Sequence, residues 1–174
     1  DEDEDQLLRT EVSRLGGEGH IARIEAWSNS TFPLDSLMGS SAVAAIAESL
    51  DEQPEANRLF QLVLLTPGVF AQGWLPDCVE GEQLRANSKN FGALLSAVVG
   101  KPVSVGGWDR VSGLPKRMYR GVPAGAVYLF RAEPGVTGQE ILKAFHGKPL
   151  HTKVPQGAFY QDLGYGWAVV GRSR

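Results

Sequence analysis

An α+β fold with one sheet covered by helices is what the sequence predicts, on three observations. Short apolar, β-branched runs recur between glycine and proline clusters, two helix-like stretches separate them, and neither a long βαβ array nor an internal repeat is present. With no Pro/Gly/Ser-rich linker to divide it, the chain reads as one domain over residues 12–174. Residues 1–11, opening "DEDEDQ", read as an acidic linker or the cut edge of a longer chain.

The elements follow in order. The glycine cluster Gly16 to Gly19 leads into "HIARIEAW", His20 to Trp27, a turn followed by a strand. From Asp35, "DSLMGSSAVAAIAESL" is rich in alanine and leucine behind an acid, which predicts a helix to about Leu50, weakened at Gly39 and barred from continuing by Pro54. "RLFQLVLLTP", Arg58 to Pro67, is a short apolar run of the kind that forms a buried central strand. Residues 67–92, dotted with proline and glycine, read as an irregular excursion or a hairpin. "ALLSAVVGKPVSVGGW", Ala93 to Trp108, fits one strand broken at Gly100 and Pro102, or two. "GAVYLFRA", Gly125 to Ala132, predicts a strand, and "TGQEILKAFH" a helix in which Thr137 and Glu140 have capping-box spacing. A glycine turn then leads into a short strand over Trp167 to Val170.

Composition narrows the function. The apolar content of 43% over 174 residues supports a packed core. One cysteine, Cys78, cannot form an internal disulfide, and no apolar run approaches the roughly 18 residues of a membrane span, so a soluble cytoplasmic protein without membrane contact is expected. The net charge of −3 conceals an asymmetry: residues 1–100 sum to −10 and residues 101–174 to +7. A one-sided basic segment attracts a polyanion even in an acidic protein, although two solvated faces of opposite sign would give the same count.

Several chemistries lack their residues. One cysteine and the scattered His20, His146 and His151 form neither a zinc pattern nor a metalloprotease helix, and no phosphate-binding loop or nucleophile elbow occurs, so no metal or cofactor is expected. The neighbours Asp77 and Glu80 oppose thiolate formation at Cys78. A metal-free ribonuclease needs only a general base, for which His20 is the candidate, against a strand histidine that merely packs. His146 ends a helix, where it suits the dipole, and His151 lies among lysines as a phosphate contact.

The stretch from Val105 to Arg131 is richer. It holds five basic residues, two tyrosines and a tryptophan against one acid, Asp109. Lys116, Arg117 and Arg120 bracket Met118 and Tyr119, with Arg110 and Arg131 flanking, which offers phosphate clamps beside flat rings. An extended backbone would put Lys116, Met118 and Arg120 on one face and Arg117 and Tyr119 on the other. The competing reading is an exposed loop with Trp108 in the core.

The pattern "VGGWDRVSGLPK" followed by "VPAGAVYLF" resembles the RAMP superfamily of CRISPR proteins, specifically the subunit that caps the guide-RNA 5′ end in type III-B effector complexes; a related type III-D subunit is similar. "RLGGEGHIARIE", "LLTPGVFAQGWLP" and "LGYGWAVVG" resemble further family segments in the same order, over roughly residues 12–171. The resemblance implies a ferredoxin-like, RRM-like RAMP fold in which glycine-rich loops and a basic hairpin hold the 5′ handle of the guide RNA. It implies a binder, not an enzyme, with target RNA as a further ligand and the polymerase-like large subunit and backbone RAMP subunits as protein partners. Complete members carry another ferredoxin-like half, so the resemblance implies that the chain is the C-terminal portion of a larger subunit or a split subunit. Carried over by motif, Gly16, Gly17, Glu18 and Gly19 form the first loop, with His20 where an arginine is common. Gly106, Gly107, Trp108, Asp109, Pro115 and Lys116 form the central motif, and Gly164 and Gly166 the last loop. Arg110, Lys116, Arg117 and Arg120 would bind phosphate, and Trp108 or Tyr119 would stack. The rivals are a metal-independent endoribonuclease using His20 and a protein–protein scaffold.

Overall fold

The structure, a computed structural model, describes residues 11–15, 20–24, 39–109, 111–150 and 164–173. The chain divides into two compact units, Asp1–Ser36 and Leu37–Arg174. In the first, β1 (Glu11–Leu15) and β2 (His20–Ile24) form an antiparallel hairpin whose closing pair is Leu15 opposite His20. The strand expected over His20 to Trp27 is present over His20–Ile24, and the glycine cluster lies outside the described residues.

The second unit opens with α1 (Ser40–Asp51), followed by β3 (Leu59–Leu64), and the expected stop at Pro54 becomes a single 3-10 turn, Glu55–Asn57. Gly39, expected to weaken the helix, is its N-cap, with extended backbone and no side-chain cap. The excursion 65–88 ends in a hairpin of β4 (Val79–Glu80) and β5 (Gln83–Ala86). The broken strand resolves as two, β6 (Lys89–Val98) and β7 (Val103–Val105), parted at Gly100 and Pro102. Further along come β11 (Val127–Ala132), α2 (Gly138–Phe145), β12 (Lys148–Pro149) and β13 (Trp167–Arg172).

Seven strands form one sheet in the order β12-β13-β3-β11-β6-β5-β4, with every neighbouring pair antiparallel. It follows that β11 and β13 run parallel with β3 between them, and α2 makes the crossover, a split βαβ unit. β3 and β6 are likewise parallel across β11, but their connection carries the β4–β5 hairpin and no helix.

Helices α1 and α2 cover one sheet face. Phe60, Leu62 and Leu64 of β3, Tyr128 and Phe130 of β11, and Ala168 and Val170 of β13 are buried there with Leu50, Ile141, Leu142 and Phe145 from the helices. Phe60 and Phe130, opposite each other in the register, stack at 5.4 Å between centroids, and Phe91 meets Phe145 edge-on at 5.1 Å. Each such ring contributes about 1.5–3 kcal/mol by leaving water. The β3 run was expected to be a buried central strand. It is central, but burial alternates along it: Leu59, Gln61 and Val63 point to the other face and are only partly covered. Length and hydrophobicity alone do not separate a strand buried on two faces from one buried on a single face.

A clamp fixes the helices to the sheet edge. The Arg58 guanidinium donates to the Leu50 and Val136 carbonyls and pairs with Asp51 at 3.2 Å, and the same Asp51 oxygen accepts from the Gly138 N–H at 2.8 Å. Gly138 is needed there, since a β-carbon would lie 2.5 Å from the Ala47 carbonyl oxygen. The expected capping box of α2 is complete: the Glu140 N–H donates to the Thr137 hydroxyl at 3.2 Å and the Thr137 N–H to the Glu140 carboxylate at 3.1 Å.

Candidate nucleic-acid interface

Between β6 and β11 the chain leaves the sheet and builds a two-stranded arm. Tyr119, Arg120 and Gly121 of β10 (Tyr119–Gly121) pair with Val105, Ser104 and Val103 of β7, and further out β8 (Trp108–Asp109) pairs with β9 (Leu114–Pro115). The two ladders are out of step by one residue. Between them Gly106 and Gly107 face three residues, Lys116, Arg117 and Met118, so the return strand carries a bulge. A bulge re-aims side chains, and here it replaces the regular alternation expected for residues 116–120.

The glycine pair has a definite role in this bulge. Met118 Sδ occupies the space that a β-carbon on Gly106 would need, and the Lys116 stem lies in ordinary contact distance of that of Gly107, 3.9 Å. The Lys116 N–H donates to the Gly107 carbonyl at 2.8 Å. The absent β-carbon of Gly106 therefore admits a side chain of the arm itself.

The arm is anchored at its root. Gly68 and Val122 exchange two backbone hydrogen bonds, 2.9 and 2.7 Å. Val69 and Val105 are buried together, with Val103, Tyr119 and Tyr165 packed against them, so three separated segments, 67–70, 103–121 and 164–166, meet there. Gly166 is buried, donating its N–H to the Pro67 carbonyl and accepting from the Leu150 N–H, both at 2.8 Å. Gly164, with φ of +83°, has open space where a β-carbon would be.

Further out the arm exposes rings and cations. Trp108 is 60% exposed and lies opposite Pro115, so it belongs to the surface and not to the core. Lys116, Arg117 and Arg120 are exposed, and Arg117 lies 5.5 Å from the centroid of the Tyr119 ring, a cation–π arrangement. Tyr119 is half-buried at the root. The tip is ordered by Asp109, whose carboxylate accepts from the Val111 N–H and the Ser112 hydroxyl, both at 2.9 Å, while its carbonyl accepts from the Gly113 N–H. Those bonds, led by that from Val111, hold the Asp109 carboxyl below its ordinary range, with Lys116 adding attraction. The lone acid of the arm is thus occupied locally, and Val111 at the tip is 98% exposed.

The structure brings Trp108, Lys116, Arg117, Tyr119 and Arg120 onto one arm, with Gly164 and Gly166 in the segment that helps root it. Gly16, Gly17, Glu18, Gly19 and Arg110 lie outside the described residues, as does the side chain of His20. Sequence reasoning missed Val69 and Tyr165 as supports of the arm, and the bulge; the proximity of Tyr165 to Tyr119 has no local sequence signal. His146 accepts the Val170 N–H at Nδ1, 3.2 Å away, so it ties the end of α2 to β13. The Cys78 thiol is pushed up to about 12, chiefly by burial and also by Asp77, which agrees with the expected lack of nucleophile activation.

A family model described as "CRISPR-associated protein (Cas_Cmr3)" matches residues 1–173. No curated protein matches the chain.

Proposed function

Because the chain belongs to the Cmr3 family of CRISPR-associated proteins, and so is a subunit of a multi-protein type III Cmr complex, we propose that it holds the 5′ handle of the guide RNA on its basic arm, without cutting it. The observation that carries this reading is the juxtaposition, on one rooted hairpin, of exposed Trp108 with Lys116, Arg117 and Arg120 around a bulge. Cations beside an open ring suit a single-stranded backbone with an unstacked base. The ferredoxin-like RAMP fold belongs to the same proposal. It is supported by the antiparallel order β13-β3-β11-β6 and by the α2 crossover between β11 and β13.

In this reading the protein works in the cytoplasm within an antiviral ribonucleoprotein, beside the polymerase-like large subunit and the first backbone subunit. Its own residues do no chemistry: the cations position phosphates and Trp108 receives a base. Titrating labelled guide RNA, with and without its handle, over a salt series tests it. We expect handle-dependent affinity, and a log–log salt slope reduced by roughly 1.4 in the double variant Lys116→Ala/Arg117→Ala, about 0.7 for each lost contact to a single strand. An unchanged slope removes the arm from the site; equal binding of both RNAs removes handle recognition. Cleavage of repeat RNA by the purified chain in EDTA would replace the reading by a nuclease.

A further inference from the structure

The side of the second unit that carries its helices has a groove of its own. Asp51, at the end of α1, accepts from Gly138, at the start of α2, while Ser40 and His146, at the opposite ends, line one cavity, so the two helices lie antiparallel. Between them runs a groove of about 660 Å³. Its walls are small and apolar: Val43, Ala44 and Ala47 from α1 and Leu142 from α2. Although residues 42–47 of α1 are all apolar, Leu50 is the buried residue of that helix. A helix apolar over most of its circumference is ordinarily covered on more than one side.

The rims differ in sign. Glu48 stands on the α1 side and Lys143 on the α2 side, and neither has an ion-pair partner among the described residues. We propose that this groove docks an amphipathic helix of a neighbouring protein subunit, with bulky aliphatic side chains entering over Ala44 and Ala47, a basic residue meeting Glu48 and an acidic residue meeting Lys143. Alanine walls leave holes for large knobs, and a third helix seated in them reaches the usual spacing of about 8–10 Å. The opposed rim charges fix its orientation. RNA does not suit the groove, because its floor is apolar and Glu48, which has no ion-pair partner among the described residues, stands on its rim.

The proposal goes beyond the handle-holding arm and is tested apart from it. Ala44→Cys, carrying a photo-crosslinker, is to be incorporated into the reconstituted complex; the native Cys78 is buried, so the label goes to position 44. We expect a cross-link to one protein subunit. We also expect Ala44→Glu to lower incorporation into the complex at least tenfold, with the melting temperature and handle affinity of the chain unchanged. A cross-link to guide RNA, a label as accessible in the complex as in the free chain, or normal assembly of Ala44→Glu would overturn the proposal. Loss of handle binding by the wild-type chain would leave it standing and remove only the arm reading.

Discussion

Two rings on the arm divide its work. Trp108 is largely open, whereas Tyr119 has Arg117 over its ring and packs at the root with Val69, Val105 and Tyr165. Replacing Trp108 by alanine is therefore expected to weaken handle binding by about 1–3 kcal/mol, the usual worth of a stacked base, with no change in melting temperature. Tyr119→Ala is expected to do the reverse, lowering the melting temperature first, and calorimetry beside RNA titration separates the two. The sequence left both rings as candidates because burial is set by residues far away in the chain. The cations were legible, since charge and spacing are local; the Met118–Gly106 contact was not, because it depends on a register that only the paired arm defines.

Among the elements, α2 shows what local signals can establish. Its Thr137–Glu140 box was readable at a spacing of three residues, and it is present with a further ion pair from Lys89 at 2.6 Å. Thr137→Ala is expected to cost about 1 kcal/mol in denaturant unfolding. Lys89 and the Thr137 backbone N–H, in that order, hold the Glu140 carboxyl below its ordinary range. A carboxyl depressed in the folded state stabilises above its unfolded value, near 4.3, and loses that contribution as pH falls through the lower folded value. The stability difference between wild type and Glu140→Gln should thus be full at pH 6 and shrink as the pH drops below about 4; a difference constant from pH 6 to 2 would refute the assignment. By contrast, α1 gave a misleading start, because a helix N-cap with no side-chain cap leaves only Gly39 to mark it.

At the scale of the whole second unit, strand existence was legible and strand order was not. Apolar runs announced β3, β11 and β13, but their adjacency comes from pairing across as many as 112 positions, as between Phe60 and Arg172. The clamp that joins Arg58 to Asp51, Leu50 and Val136 is hidden too, its farthest partner lying 78 positions away, and the Arg58 side chain is only 11% exposed. Arg58→Ala strands Asp51 beside Gly138 and takes the guanidinium from the Val136 and Leu50 carbonyls, of which Leu50 keeps the Gln53 N–H, and is expected to cost about 2–4 kcal/mol in urea unfolding. Beyond its root the arm stands outside this economy of contacts. Its two strands leave the buried root cluster at directly opposed residues, Val105 and Tyr119. Chain ends so placed are only about 5 Å apart, so residues 106–118 behave as a cassette: a two-residue turn can take their place with the root still packed. Evolution, or an engineer, can then exchange what the subunit grips without rebuilding what makes it fold.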